Sequence, residues 1–333
     1  MAEMQRLKKH LMIKFKKRMY LTIAILASVF LLGCSDPVKE QIEQQRPITM
    51  KRVEQLGDAL ESGQVRNASL INKYADIVVK NKPNLAPLTD EFRKDATTQG
   101  PMFKALQERV SVTKNQPQMF SSTQALYDEL LNIYQAADPV LYSDALSDPL
   151  NVLADMSDGQ LPRVNALSKS QSKNANKAQD FGTGEQLIGN PSYGHWQTGS
   201  SGTSFWAWYG MYSMMGNFYG RNVYYNDWGR GRNYSYYNDY GRTRYSSPSQ
   251  LKSQNKLDTR TRKSFKSKGQ KYASPYSKSR TGSSSLSGKS KTAQTSANRF
   301  KSNYAKRSTS SYGKKSSFRN SSTNTSRGFR RGK

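Results

Sequence analysis

The chain has 333 residues, of which 52 are Lys or Arg and 24 are Asp or Glu, so its formal net charge is +28. It contains 1 cysteine and 2 histidines. This composition excludes an internal disulfide and a zinc site built from His and Cys within one chain. The basic balance indicates anionic partners.

The first 34 residues have the layout of a secretory signal peptide. A basic stretch between residues 6 and 18 precedes a run of 12 uncharged residues, 21–32. A membrane-spanning helix needs about 20 apolar residues, so this run suits a signal-peptide core better than a membrane anchor. Met12 offers a second start, because residues 12–18 make a complete basic leader by themselves.

The uncharged run ends in Leu31-Leu32-Gly33-Cys34. A Leu, a second apolar residue, a small residue and then Cys resemble the lipobox of bacterial lipoproteins. The resemblance implies that the chain is cut before Cys34 and that the Cys34 thiol is acylated. Cys34 would then be a lipidated N-terminus that attaches the protein to the membrane without a transmembrane helix.

The residue after the lipidated cysteine bears on the location in the cell envelope. In Gram-negative lipoproteins an Asp at that position retains the protein at the inner membrane. Here the position is Ser35, and Asp36 follows. The resemblance therefore favours the outer membrane over the inner membrane.

Residues 34–47 are polar and predict a tether, and helical periodicity begins after them. Apolar residues then recur at i, i+3 and i+4 as far as residue 160, and no run alternates with period two over a strand's length. The clearest stripe consists of Leu70, Ile71, Tyr74, Ile77 and Val78. These patterns predict a small all-α bundle of residues 48–160 with four to six short helices.

Residues 161–204 consist mainly of Ser, Asn, Gln, Lys and Gly, which predicts a flexible linker. Residues 205–245 are rich in Trp, Tyr, Met and Gly. We expect this aromatic segment to associate with the membrane interface, where Trp and Tyr are favoured, or with a second copy. The residues predicted to make these contacts are Phe205, Trp206, Trp208, Tyr209, Met214, Met215 and Trp228.

The start of this segment also resembles a group of uncharacterised proteobacterial lipoproteins. Those proteins share the order lipobox, polar region, short Phe-Trp/Met-Gly patch and low-complexity basic end. Here the patch reads Phe205-Trp206 and Met214-Met215-Gly216. The resemblance concerns the architecture and brings no catalytic residues with it.

The sequence Tyr-Tyr-Asn-Asp-aromatic-Gly-Arg occurs twice in the aromatic segment, at 224–230 and at 236–242. Two copies are too few for a solenoid. They predict either a pair of hairpins or unfolded chain. Asp227 and Asp239 could bind calcium weakly, but an Asn-Asp pair that forms a turn is the preferred interpretation.

Residues 246–333 are of low complexity, and we expect them to be a disordered cationic tail. From residue 251 onwards they carry 23 basic side chains and one acidic side chain, Asp258. Basic residues interleaved with Tyr and Phe are typical of segments that bind polyanions. The residues predicted to do so are Arg221, Arg230, Arg232, Arg242, Lys263, Lys266, Lys314, Lys315, Arg330 and Arg331.

Nothing in the sequence indicates catalysis, a metal or a cofactor. After cleavage one histidine is left, His195, and it lies in the predicted flexible linker, which lacks the rigid support that catalysis needs. We therefore expect a non-enzymatic, lipid-anchored envelope protein whose cationic, aromatic-containing tail tethers anionic material such as lipopolysaccharide or anionic lipids.

Two other functions are open. The helical bundle could be an adaptor for a partner protein, or the tail could bind nucleic acid outside the cell. Export argues against the second of these, because nucleic acid is mainly intracellular.

The leader generates a first prediction. Replacing Cys34 by Ala removes the thiol that would carry the lipid. We expect the variant to lose acyl labelling, to escape normal processing and to leave the acylated membrane pool in cell fractionation. A variant that is processed normally and sediments with membranes without acyl label would contradict the lipoprotein assignment.

Overall fold

The computed structural model describes residues 36–200, 202–218, 221–276 and 280–296, together with residues 4, 12, 14 and 15. The side chains of 294–296 are not included. The predicted lipobox and the tail residues Lys314, Lys315, Arg330 and Arg331 lie outside the described residues.

The prediction of an all-α fold is confirmed. The first part of the described chain is a layer of α-helices: α1 Pro37–Glu61, α2 Arg66–Asn81, α3 Ala86–Asp95, α4 Pro101–Asn115, α5 Thr123–Ala136, α6 Pro139–Ala145 and α7 Ser147–Met156. The second part contains α8 Lys169–Asn176, the strands β1 Gly194–Thr198 and β2 Ser204–Trp208, and the helices α9 Tyr225–Gly231, α10 Pro248–Ser267 and α11 Gly288–Ser296.

Most of the predicted apolar stripe on α2 faces the core. Ile71, Tyr74 and Val78 are buried, whereas Ile77 is exposed at the edge of the stripe. The helix packs against α3 and α7. The stripe is a local property of the sequence, which is why its period predicts the helix correctly.

The predicted tether at 34–47 is largely helix. α1 begins at Pro37, and the Asp36 side chain caps it by accepting a hydrogen bond from the Val38 N–H at 3.1 Å. Proline at the first helical position is favourable because its missing N–H would have no partner there. Ile42 anchors the segment in a small cluster with Phe120 and Leu130. The stretch is polar because most of its other side chains face solvent.

The predicted linker at 161–204 is a packed segment. Its few apolar residues, among them Leu187, Ile188 and Tyr193, are fully buried. Gly189 has a φ of +89°, and a Cβ there would lie 2.7 Å from the Trp228 ring. Such a segment needs few apolar residues of its own, because it covers a core that the helices have already started.

The predicted tail also becomes ordered at its start. Ser247 and Gln250 form a capping box at the beginning of α10, and Leu251 on that helix is buried. Ordered structure therefore continues well beyond residue 246. The physical reason is again tertiary, since single apolar side chains in a basic sequence find an existing surface to cover.

One hydrophobic core joins the two parts. Tyr193, Tyr212, Met215 and Tyr245 from the second part are buried in the same cluster as the helical layer. The Tyr212 ring packs edge-on against Phe92 with 5.5 Å between the ring centroids, and Tyr245 packs in the same way against Tyr142. The bundle predicted for 48–160 therefore shares its core with later residues.

Asp148 on α7 also ties the two parts together. Its carboxylate oxygens accept hydrogen bonds from the backbone N–H groups of Tyr236 at 2.8 Å and Tyr237 at 2.9 Å. Burial raises the pKa of Asp148 to about 7, although the two N–H donors act in the opposite direction. The carboxyl group is therefore a point where protonation is linked to folding.

This linkage generates a second prediction. The pKa of Asp148 is higher in the folded state than the unfolded value of about 3.9, so the folded state binds more protons between the two values. We expect the free energy of unfolding to fall as the pH rises from about 4 to about 7, and Asp148→Asn to flatten that slope. Burial also raises the pKa of Asp95 and Glu185, so a part of the slope persists in the variant.

Urea unfolding across this pH range is the measurement. The readout is the slope of the free energy of unfolding against pH. The absolute stability is not used, because Asn leaves one of the two N–H donors without an acceptor and so lowers the stability at every pH. A variant with an unchanged slope would contradict the assignment.

Candidate functional site

The four tryptophans of the chain gather in one place. The antiparallel hairpin of β1 and β2 pairs Trp196 with Trp206, and their ring centroids are 5.2 Å apart. The Trp228 ring on α9 lies 5.1 Å from Trp196, and Trp208 lies 5.7 Å from Trp206. We call these four residues the tryptophan cluster.

Local sequence explains the hairpin. Ser204, Trp206 and Trp208 alternate with Phe205 and Ala207, so one face of β2 carries both tryptophans. The strands approach closely at Gly194, where a Cβ would lie 2.4 Å from the Ala207 carbonyl oxygen. Neither strand alternates apolar with polar residues, since residues 205–208 are all apolar, so the sequence pattern does not predict them.

A cleft lies between the hairpin and α10. It has a volume of about 470 Å³. We call it the hairpin cleft, and its principal lining residues are His195, Trp196, Trp206, Tyr209, Gln250, Ser253, Lys256 and Arg260. A concave, partly aromatic site with a few polar groups is the usual form of a ligand pocket.

The hairpin cleft has a positive charge. Lys256 and Arg260 line it, and no Asp or Glu is among its described lining residues. Arg260 is held in place because its Nη2 donates hydrogen bonds to the Thr198 hydroxyl at 2.8 Å and the Ser204 hydroxyl at 3.0 Å. Both partners are neutral, so these bonds position the guanidinium without compensating its charge.

Helix α10 extends this charge along its exposed surface. Successive residues of an α-helix are turned by about 100°, which places five exposed cations of α10 within an arc of about 120°. We call them the basic stripe: Lys252, Lys256, Arg260, Lys263 and Lys266. The opposite side of the helix is anchored by the buried residues Leu251, Gln254 and Thr261.

The residues predicted for membrane or self-association differ widely in exposure. Trp206, Met215 and Trp228 are buried, so for these three the predicted surface role is wrong in this fold. Their large apolar surfaces are covered by the chain's own core. Phe205, Trp208 and Met214 are partly buried, and Tyr209 is exposed at the hairpin cleft with 45% of its surface accessible.

The residues predicted to bind polyanions also fall into groups. Arg221, Arg230, Lys263 and Lys266 are exposed, as that role requires. Arg232 is buried and forms a two-pronged ion pair with Asp239, at 2.7 and 2.9 Å, so its predicted surface role is wrong.

Arg242 is half-buried. Its guanidinium lies 3.9 Å from the centroid of the Tyr276 ring and donates hydrogen bonds to Gln254 and Asn255. These contacts hold the guanidinium against α10 and Tyr276, so it is less accessible to an external anion than the exposed cations.

The two sequence repeats adopt different structures. The first forms α9, and its Asp227 and Arg230 make an exposed ion pair at 3.0 Å. The second forms a wide helical turn at Tyr237–Gly241, where Asp239 is buried. The same seven-residue pattern therefore places its Asp in an exposed ion pair in one copy and in a buried ion pair in the other.

His195 lies at the mouth of the cleft. Its ring stacks on Tyr209 with 5.2 Å between the centroids, and the residue is exposed.

In the described part of the chain, no three His, Cys, Asp or Glu side chains come together as ligands for a metal ion. Over the same residues, no helix is long and apolar enough to cross a membrane.

The sequence pattern did not predict Trp196, Lys256 and Arg260 as site residues. Two signals could have found the helix that carries the cations: the capping box at Ser247 and Gln250, and the four-residue spacing of Lys252, Lys256 and Arg260. Trp196 carries no such signal, because only the tertiary structure brings it to the cleft.

Comparisons of the chain with protein-family models, with curated proteins and with solved structures found no match. The function is therefore inferred from the leader and from the geometry of the hairpin cleft and the basic stripe.

The two repeats generate a third prediction with a built-in control. Asp239→Asn leaves Arg232 charged and buried without its partner, and breaking a buried ion pair costs about 3–5 kcal/mol of unfolding free energy. Asp227→Asn removes the exposed pair of the first repeat, which is worth about 0–1 kcal/mol. Denaturant unfolding of both variants is the measurement. Equal effects would contradict the assignment of different roles to the two copies.

Proposed function

We propose that this chain is a non-enzymatic, lipid-anchored envelope protein that holds anionic polymers on the basic stripe. The proposal combines the expected signal peptide, residues 1–33, and the lipidation expected at Cys34 with the surface of α10. The observation that carries it is the alignment of five exposed Lys and Arg side chains on one side of that helix.

The shape of the stripe favours an extended ligand. From Lys252 to Lys266 the helix rises about 21 Å, at about 1.5 Å per residue. A single small anion would contact one or two of these cations, whereas a polymer with repeated negative charges can contact all of them. Each Lys or Arg near an anionic surface contributes about 1 kcal/mol.

The one acidic residue of α10, Asp258, does not neutralise the charge of the basic stripe. Asp258 is paired with Arg262 at 3.1 Å and accepts a hydrogen bond from the Tyr272 hydroxyl at 2.8 Å. Asp258 and Arg262 both lie outside the arc of the five cations in the helical projection. The stripe therefore presents positive charge to solvent, and its attraction weakens as salt rises.

The start of the fold supports attachment close to a membrane. Asp36, the cap of α1, lies two residues after Cys34, and two residues span at most about 7 Å. A lipid on Cys34 would hold the folded part near the bilayer surface instead of on a long tether. Anionic headgroups and envelope polysaccharides would then be within reach of the domain.

The fourth prediction tests the basic stripe with a matched pair of triple variants. Lys252, Lys263 and Lys266 are changed to Gln in one protein, and the exposed Lys51, Lys73 and Lys80 of the helical layer are changed to Gln in the other. Both variants are made in the full chain with Cys34→Ser, lose the same charge and keep the same C-terminal sequence.

We expect the stripe variant to bind lipopolysaccharide and phosphatidylglycerol vesicles roughly a hundredfold less tightly at low salt, since three cations contribute about 3 kcal/mol. The control variant is expected to bind within a few-fold of the parent. Sedimentation with vesicles and titration calorimetry provide the affinities. Equal losses in both variants would show that only net charge matters, and the stripe would lose its role.

A further inference from the structure

We infer that the hairpin cleft binds an acidic sugar, a pyranose ring that carries a carboxylate, as one unit of an acidic polysaccharide. The inference deepens the proposed function and rests on it, because the polymer that follows the basic stripe would place one of its units in the cleft. It assigns the class of polymer, which the stripe alone does not select.

The dimensions of the cleft suit a ligand of this kind. Its volume of about 470 Å³ lies within the range of small-molecule sites, about 300–1,000 Å³. Lys256 and Arg260 belong both to its wall and to the basic stripe. A chain held along the stripe therefore passes directly over the opening.

The hairpin side of the cleft supplies aromatic surface. Trp196 and Trp206 form one wall, and the stacked pair of His195 and Tyr209 stands at the mouth. The C–H faces of a pyranose ring are apolar, so they can be covered by such rings while the hydroxyl groups at the ring edge stay hydrated. Aromatic side chains provide this contact with little loss of conformational entropy, because they are already fixed by packing.

The same wall holds two hydrogen-bond donors without acceptors. Among the described residues, the indole N–H groups of Trp196 and Trp206 have no partner, and Trp206 is only 6% exposed. A buried donor without an acceptor is costly. A ligand rich in hydroxyl and ring oxygens could satisfy these groups after a small movement of the rings.

The α10 side of the cleft supplies charge and hydroxyl groups. The Thr198 and Ser204 hydroxyls hold the Nη2 of Arg260, and within the described part of the chain its Nε and Nη1 donate to no other group. One positioned guanidinium matches one carboxylate, with Lys256 beside it to add charge. Ser253 offers a hydroxyl for a sugar hydroxyl.

This combination favours a carboxylated sugar over a nucleotide. Phosphates are typically held by several Arg or by backbone N–H groups at a helix N-terminus or nest. The α10 wall of the cleft instead runs from the first turn at Gln250 to Arg260 and carries one Arg, one Lys and neutral Ser and Gln side chains. The Gln250 N–H at the start of the helix already donates to the capping Ser247 hydroxyl. Single-stranded nucleic acid is therefore an outcome that the test must be able to reveal.

The test, our fifth prediction, is a titration followed by tryptophan fluorescence and calorimetry in the full, unlipidated chain. The probes are an oligogalacturonide, a neutral oligosaccharide of the same length and a single-stranded oligonucleotide of equal charge. We expect the oligogalacturonide to change the fluorescence saturably and the neutral sugar to bind at least tenfold more weakly. The fluorescence reports on the cleft because all four tryptophans lie in the tryptophan cluster.

Substitutions then locate the binding. Arg260→Gln is expected to weaken oligogalacturonide binding at least tenfold. Tyr209→Ala is expected to weaken it a few-fold. Arg262→Gln is the matched control, since it removes the same charge from the same helix outside the cleft, and it should bind within about twofold of the parent. Circular dichroism confirms that the variants are folded.

Two results would overturn the inference. In the first, the oligogalacturonide leaves the fluorescence unchanged or binds equally well after Arg260→Gln. In the second, the oligonucleotide binds more tightly than the oligogalacturonide, and its binding depends on Arg260 and Tyr209 in the same way. Failure of the proposed function can be distinguished from failure of this inference. It would appear as unchanged binding of lipopolysaccharide and anionic vesicles in the triple variant of the stripe.

Discussion

The fold depends on aromatic side chains from the second part of the chain, which complete a core that the helical layer begins. Tyr193, Tyr212 and Tyr245 fill positions between the helices that shorter side chains would leave empty. Large aromatic residues bury 150–250 Å² each, so a few of them can order a long polar segment. The Gly- and Ser-rich composition of that segment lets the backbone turn between these anchors.

Closing a core with tyrosines brings polar atoms into it. Tyr212 donates weak hydrogen bonds to the Glu91 carbonyl oxygen and to Asp95, at 3.3 and 3.5 Å, and burial raises the pKa of Asp95 well above its usual range. Asp148 meets the backbone of the second part in a similarly dry environment. The join between the two parts is therefore the region of the fold most sensitive to protonation.

The candidate site follows from the same constraint. The tryptophan cluster fixes the hairpin, and the buried face of α10 fixes the helix opposite it, so the cleft and the basic stripe stand on ordered elements. This arrangement gives a low-complexity basic sequence a defined surface. Charge provides attraction to anionic polymers in general, and the aromatic wall provides a means to select among them.

Local sequence patterns predict the helical class of the fold and the residue types of the site. Periodicity identifies helices such as α2 because residues three or four apart meet within one helix. Composition likewise pointed to aromatic and cationic side chains in the second half of the chain. The burial of Trp228 and Arg232, the position of Arg260 in a cleft and the different roles of the two similar repeats follow from the tertiary structure. These outcomes depend on contacts between residues far apart in the chain, which no local pattern encodes.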